Sequence, residues 1–145
     1  MPADITHAYA ADHQRCDRLL AEAEGVAAGR DWARIGVAAA DLVAALERHF
    51  QFEEESLFPA LTQAFAIAAN PIEVMRSEHA QMRGLLADLR ESIAGSDMDA
   101  YLGILETLHF VVQQHNYKEE SVLYPMADGA LRGRTDEFAA AIADV

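Results

Sequence analysis

The stretches HFQFEEESLFP, residues 49–59, and HNYKEESVLYP, residues 115–125, are two copies of one pattern that lie 66 positions apart. Both begin with histidine, carry two glutamates four and five residues later, and end in leucine, an aromatic residue and proline. The same shift aligns DHQRCDRLLA, residues 12–21, with EHAQMRGLLA, residues 78–87. One shift that serves two separate motifs indicates a duplicated unit of two helices, and hence two αα-hairpins.

Both copies continue an apolar face that repeats in alternating steps of three and four residues, the period of a buried helix face. In the last long segment this face consists of Tyr101, Leu105, Leu108, Val112, His115, Glu119, Val122 and Met126. In the second segment it consists of Ile35, Ala39, Leu42, Leu46, His49, Glu53, Ser56 and Ala60. A histidine and a glutamate of each copy are therefore predicted to point into the core.

Helix-breaking residues divide the chain into four long segments and one short one. We expect helices over residues 3–27, 32–65, 71–94 and 98–126, and a short helix over 135–143. Asn70 and Asp97 are candidate N-caps, and Pro59 and Pro125 are expected to close or kink their helices. Short connections then predict an all-α fold, an antiparallel up-down-up-down four-helix bundle with a short C-terminal helix, in a single domain over residues 1–145.

The spacing of the polar residues on these faces predicts a metal site. A histidine and a glutamate four residues apart lie one helical turn from each other, so both can address one interior point. Two such pairs occur, and each remaining helix adds one inward histidine. The predicted ligands are His13, His49, Glu53, His79, His115 and Glu119. Four imidazoles and two carboxylates related by a pseudo-twofold axis are enough to hold two metal ions.

The residue types also indicate which metals fit. Two histidines for each ion and two bridging glutamates leave room for a bridging oxo or hydroxo group and an open position, which favours iron, with zinc and manganese as alternatives. A single histidine on an apolar face is most often a satisfied core residue. Six titratable residues at symmetric positions are much harder to explain in that way, because charged side chains are rarely buried without partners.

Other titratable residues near these motifs fall off the predicted buried faces. Glu54, Glu55 and Glu120 lie about 100° or more around their helices, so we expect them on the flank or in solvent, with a supporting role at the site left open. His7 and His109 each precede a predicted ligand by six residues. That offset turns them away from the site and moves them about 9 Å along the axis, so we expect surface or bundle-end positions.

Four further residues occupy repeat-equivalent positions beside the two lone histidines. Cys16 and Met82 follow His13 and His79 by three residues, and Tyr9 and Met75 precede the same histidines by four. Core packing is the expected role of all four. Two alternatives stay open: Cys16 as a redox-responsive thiol, and Tyr9 as a hydrogen-bond donor to an oxygen species on the metal.

Composition and charge exclude several classes of partner. The formal net charge of −13 would repel a nucleic-acid backbone or an anionic membrane surface. The N-terminus lacks the basic and apolar regions of a signal peptide, and no apolar run reaches transmembrane length. The lone cysteine, Cys16, fits a reducing compartment. We therefore expect a cytoplasmic protein without nucleic-acid or membrane partners.

The order DH, HFxxEExxLFP, EH and HxxxEExxLYP, which spans residues from about His7 to Pro125, resembles the hemerythrin-like family, or HHE cation-binding domain. Carried over residue by residue, the resemblance implies metal ligation by the six residues named above, around a non-haem di-iron centre. Oxygen-carrying hemerythrins differ in having HxxxH in the third helix, where this chain has Met75, and an aspartate five residues after the fourth-helix histidine. The missing fifth imidazole makes simple oxygen carriage doubtful.

The four-histidine, two-glutamate set is similar to family members linked to nitric oxide response, iron sensing or repair of iron-sulfur centres. The first function expected is binding or sensing of O2, NO, redox state or iron status, read by a protein partner. The alternative is an enzyme that acts on peroxide or NO, or donates iron. A third alternative is a structural site that holds zinc or a single metal.

Overall fold

The computed structural model of the protein describes residues 4–144, and these form a bundle of four long helical rods with a short helix at the C-terminal end. The helices are α1 Ile5–Gly25, α2 Trp32–Phe52, α3 Phe58–Ala64, α4 Ala69–Ala94, α5 Met98–Lys118, α6 Tyr124–Ala130 and α7 Thr135–Ala143. Two π-helical turns, Glu53–Leu57 and Glu119–Leu123, join α2 to α3 and α5 to α6. Each of those pairs therefore forms one long rod, and the predicted all-α four-helix bundle is confirmed.

Aspartate side chains define the start of three of the rods. Asp4 accepts a hydrogen bond from the His7 backbone N–H, Asp31 accepts from Ala33 and Arg34, and Asp97 accepts from Ala100. Each aspartate thus satisfies a first-turn donor that has no partner within the helix.

The predicted cap at Asn70 is wrong. A short 3-10 turn over Ala66–Ala68 leads directly into α4, which begins at Ala69 and places Asn70 inside its first turn. Asp97, in contrast, is the cap of α5 as expected.

Of the two effects expected of Pro59 and Pro125, closing or kinking their helices, the first does not occur. The chain stays helical past Pro59 to Ala64 and past Pro125 to Ala130. The turn before each proline is widened instead, with Phe58 N–H donating to the Glu53 carbonyl and Tyr124 N–H to the Glu119 carbonyl, five residues back. A proline lacks an N–H and clashes with the carbonyl four residues earlier, and the wider π turn accommodates this inside a continuous rod.

The extra residue in each π turn changes which side chains face the core. Strict helical periodicity places Val122 on the buried face, but it is 54% exposed, whereas Leu123 and Tyr124 are buried. Ser56 is likewise only partly buried, and Leu57 and Phe58 take its place in the core. The predicted buried face is therefore wrong beyond Glu53 and Glu119.

The apolar core consists of two clusters separated by a polar layer. One cluster fills the end of the bundle that carries the α1–α2 and α4–α5 connections, and Leu42, Met82, Leu105 and Leu108 are among its most buried members. The other fills the opposite end, where α7 adds Phe138 and Ile142. The buried histidines and glutamates lie between the two clusters. Apolar side chains therefore cover this polar layer on both sides along the bundle axis.

Polar contacts connect the first turn of α1 and the residue after α7 to the rest of the bundle. Both carboxylate oxygens of Asp128 accept hydrogen bonds from the first turn of α1, namely from the backbone N–H groups of Ile5 and Thr6 and from the Thr6 hydroxyl. Arg48 donates to the Asp144 carbonyl at 2.7 Å. Between residues 4 and 144, none of the helices has the combination of length and apolar character needed to cross a membrane.

Candidate metal centre

Six buried side chains from the four rods meet in the polar layer. They are His13 of α1, His49 of α2, His79 of α4, His115 of α5 and the first glutamate of each π turn, Glu53 and Glu119. None is more than 4% exposed. All six sequence-predicted ligand residues therefore occupy one enclosed layer of the bundle.

The two glutamates lie between two pairs of histidines. Glu53 directs one oxygen to within 3.0 Å of His79 Nε2 and the other to 3.5 Å from His49 Nε2. Glu119 Oε1 lies 3.0 Å from His13 Nε2 and 3.2 Å from His115 Nε2. We call the two parts of the layer the His13/His49 half and the His79/His115 half. Each glutamate contacts one histidine of each half.

The donor atoms fall into two groups compact enough for a metal ion. Atoms of Glu53, His79, His115 and Glu119 all lie within 4.8 Å of one another, and so do atoms of His13, His49 and Glu119. Nitrogen and carboxylate oxygen donors in such groups suit iron, manganese or zinc.

Each of the four histidines is held from behind by a carboxylate on a neighbouring rod. The Nδ1 distances are 2.7 Å from His13 to Glu120, 2.7 Å from His49 to Asp12, 2.6 Å from His79 to Glu54 and 2.8 Å from His115 to Glu78. We call these four acids the backing carboxylates. An ionised carboxylate only accepts hydrogen bonds, so each Nδ1 carries a proton and each Nε2 faces the interior, which is the arrangement found at metal-binding histidines.

The backing carboxylates include Glu54 and Glu120, for which the sequence left a supporting role open. Both lie partly buried on the flank of their rods, and each turns its carboxylate onto a predicted ligand, while Glu55 is exposed as expected. The signal in the sequence is their repeat relationship. Asp12 matches Glu78 and Glu54 matches Glu120 under the same 66-residue shift, so acids stand beside both lone histidines and both glutamates predicted as ligands.

Cations hold three of the backing carboxylates in their ionised form. Arg15 and Arg48 lie at 2.9 Å and 3.6 Å from Asp12. Arg83 donates to both oxygens of Glu54, and Lys118 to Glu78. Burial opposes ionisation, but hydrogen bonds from the histidines and these cations lower the pKa of Asp12, Glu54 and Glu78. For Glu120 the hydrogen bond from His13 is the main cause of its lowered pKa.

Tyr124 is a site residue that periodicity did not predict. Its fully buried hydroxyl lies 2.6 Å from Glu53 Oε2, 2.8 Å from Glu119 Oε1, and 3.1 Å from both His13 Nε2 and His49 Nε2. The π turn brings it inward, although helical spacing places position 124 off the buried face. The sequence did contain a signal for Tyr124. Under the 66-residue shift its equivalent is Phe58, so the hydroxyl is a difference between two otherwise matching copies.

The buried carboxylates change the acid-base behaviour of the histidines. Burial by itself would lower the pKa of His49, but the charge of Glu53 and the hydrogen bond with Asp12 outweigh it and raise the pKa to about 10. For His115, burial is outweighed by Glu119, and the pKa is about 9. These imidazoles therefore balance the glutamate charge with protons at neutral pH, and a bound cation would take over that role.

Several donor atoms in the layer have no hydrogen-bond partner, which tests whether a metal fits. Glu53 Oε1, Glu119 Oε2, His79 Nε2 and His115 Nε2 are buried and unpartnered. Glu53 Oε1 and His79 Nε2 lie 3.0 Å apart without hydrogen-bond alignment. Buried polar atoms without partners are costly, and the four residues that carry them form one of the two compact donor groups. The residues present therefore fit a metal cation.

The remaining candidates lie outside this layer. His7 and His109 are exposed, as expected. Tyr9 is buried with its ring edge-on to His49, at 5.6 Å between ring centroids, and Met75 belongs to the same apolar cluster as Tyr9. Cys16 and Met82 belong to the other cluster, as core packing predicts, and burial raises the pKa of the Cys16 thiol to about 12.

A four-helix bundle with a buried layer of carboxylate-backed histidines and glutamates defines a class of helical metal-binding proteins. The family model of the hemerythrin HHE cation-binding domain matches residues 4–127. The chain belongs to this family, and the resemblance seen in the sequence is confirmed. No curated protein and no solved structure matches the chain.

Proposed function

We propose that the protein binds two metal ions in the polar layer, one in each half, with Glu53 and Glu119 between them. His13 and His49 would hold one ion, and His79 and His115 the other. The observation that carries this proposal is the set of buried, unpartnered donor atoms backed by ionised carboxylates. A purely structural polar cluster would be expected to satisfy these atoms within the protein.

Iron, with a bridging oxo or hydroxo group, is the metal we propose. Mixed imidazole and carboxylate donors suit iron and also manganese or zinc, and four protein ligands for each ion leave positions open. Iron in such a site supplies redox chemistry and open positions for O2, NO or peroxide. Every proposed ligand is buried between apolar clusters, so the site favours small ligands of this kind.

Binding or sensing of O2, NO, redox state or iron status is the function we propose first. The backing carboxylates hold the four imidazoles in place rather than presenting free acids or bases to a substrate. Within this proposal, a protein redox or signalling partner reads the state of the centre, and the single, free cysteine, Cys16, fits a reducing cytoplasmic location.

An enzyme acting on peroxide or NO is the second candidate, and Tyr124 is the observation in its favour. Its hydroxyl oxygen lies 2.6 Å from Glu53 Oε2 and donates its proton to that carboxylate, within the donor set. A proton source at that place is what reduction of a bound small molecule requires. Steady-state consumption of peroxide or NO with a reductant would establish this candidate, whereas a stable adduct without turnover would establish binding.

Metal analysis tests the proposal. We expect two iron ions per chain in protein purified from its native host, with an optical spectrum that changes on reduction. His115→Ala should lower the metal content, and His109→Ala, which alters an exposed histidine on the same helix, should leave it unchanged. Fewer than two metals per chain in the unaltered protein, or one zinc without an absorption change, would instead indicate the structural alternative.

A further inference from the structure

The two halves of the metal centre are unequal, although the repeat makes their ligands equivalent. The inward aromatic residue after the π turn is Phe58 in the first copy and Tyr124 in the second. Phe58 stacks on His79 with 5.9 Å between ring centroids, and Tyr124 lies at 5.6 Å from His13. Only the second ring carries a hydroxyl, so only one half of the centre receives an additional polar atom.

That hydroxyl contacts the atoms that an ion in the His13/His49 half would need as ligands. It lies 3.1 Å from the Nε2 atoms of both His13 and His49, and it donates to Glu53 Oε2 and Glu119 Oε1. A hydroxyl has one proton and two lone pairs, so these four neighbours share it. The donor atoms of this half are therefore engaged with Tyr124.

The donor atoms of the His79/His115 half have no such hydroxyl beside them. The Nε2 atoms of His79 and His115 are buried without partners, together with one oxygen of each glutamate. An ion that enters this half has no hydroxyl to displace, and it replaces only the contacts of His79 and His115 with the two glutamates, at 3.0 Å and 3.2 Å. An ion that enters the other half must displace the Tyr124 hydroxyl from two imidazoles and two carboxylates.

We propose that Tyr124 sets the order in which the two metal positions fill, so that the His79/His115 half binds first and more tightly. This inference rests on the proposed two-metal function. Tyr124 is a positioning residue for the second ion, since its hydroxyl competes for the donors of that ion.

Titration of the metal-free, full-length protein with Co²⁺ under anaerobic conditions tests this proposal by visible absorption and calorimetry. We expect two binding steps in the unaltered protein. His115→Ala should remove the tighter step and His13→Ala the weaker one. In Tyr124→Phe, the weaker step should tighten about tenfold or more, because hydrogen bonds no longer have to be broken.

The repeat supplies matched controls. Phe58→Tyr places a hydroxyl at the equivalent position of the other half and should weaken the tighter step. Tyr101→Phe removes another buried hydroxyl, which donates to the Ala23 carbonyl at 2.6 Å in the apolar cluster. That variant should lower stability and leave both binding steps unchanged.

Two equal steps in the unaltered protein would overturn the proposed order. An unchanged weaker step in Tyr124→Phe would also overturn it, and a weakened step would make Tyr124 a ligand instead of a competitor. If neither protein binds a second ion, the two-metal function fails together with the inference, whereas two equal steps leave that function standing.

Discussion

Glu54 shows how a residue outside the predicted ligand set contributes to the site. Its carboxylate accepts from His79 Nδ1 at 2.6 Å and receives two hydrogen bonds from Arg83. It therefore fixes the His79 ring with Nε2 toward the interior. Helical spacing alone places Glu54 on the flank of its rod, because that spacing describes contacts within one helix and not across two.

We expect Glu54→Ala to weaken metal binding by about 10- to 100-fold, the usual effect of removing a carboxylate behind a metal-binding histidine. Glu55→Ala is the matched control, since Glu55 is the next residue in the chain and is exposed. Affinities from competition with a coloured chelator would measure both. Equal affinities in the two variants would mean that the carboxylate behind His79 has no role in holding the metal.

At the scale of the helical element, the π turns determine which residues reach the site. Each begins with a proposed ligand, Glu53 or Glu119, and ends before an inward aromatic residue, Phe58 or Tyr124. Uniform helical periodicity predicts the first member of each pair and misses the second. The prolines at 59 and 125 are a local signal of a helix irregularity, but a kink, a helix end and a π turn all fit such a signal.

The start of α5 gives a prediction at the same scale. Asp97→Ala should destabilise the protein by about 1 kcal/mol, because it removes the side chain that caps the first turn. Asn70→Ala should change stability much less, since Asn70 lies inside α4 and not at its cap. Urea unfolding followed by circular dichroism would compare the two, and a larger loss for Asn70→Ala would contradict this assignment of helix starts.

At the scale of the whole molecule, the buried layer links stability to pH. Histidine in an unfolded chain has a pKa of about 6.5, whereas His49 and His115 have pKa values of about 10 and about 9 in the folded protein. The folded state holds these protons more tightly. The stability they contribute is therefore fully present below pH of about 6.5 and is lost as pH rises through the two folded values.

The backing carboxylates act in the opposite direction. Their lowered pKa values contribute stability that is present above the unfolded value of about 4 and is lost as pH falls through the folded values. We therefore expect the metal-free protein to be most stable between pH of about 5 and 6.5, and to lose stability steadily up to pH 10 or so.

Thermal unfolding of chelator-treated protein across this pH range would measure the effect. The metal-loaded protein is the control. Its stability should depend less on pH between neutral and alkaline conditions, because an imidazole that binds a metal is already neutral and has no second proton to lose. A metal-free protein whose stability rises from neutral to alkaline pH would contradict the protonated state of these histidines.

By itself, the sequence determined the bundle, its internal repeat and the six inward residues His13, His49, Glu53, His79, His115 and Glu119. These features depend on spacing within single helices and on one constant shift, and both can be read along the chain. The tertiary structure decided which carboxylate lies behind which imidazole, and that the Tyr124 hydroxyl lies among the donors. Those contacts depend on how neighbouring rods are rotated and offset, and on a π turn that moves the buried face by one residue.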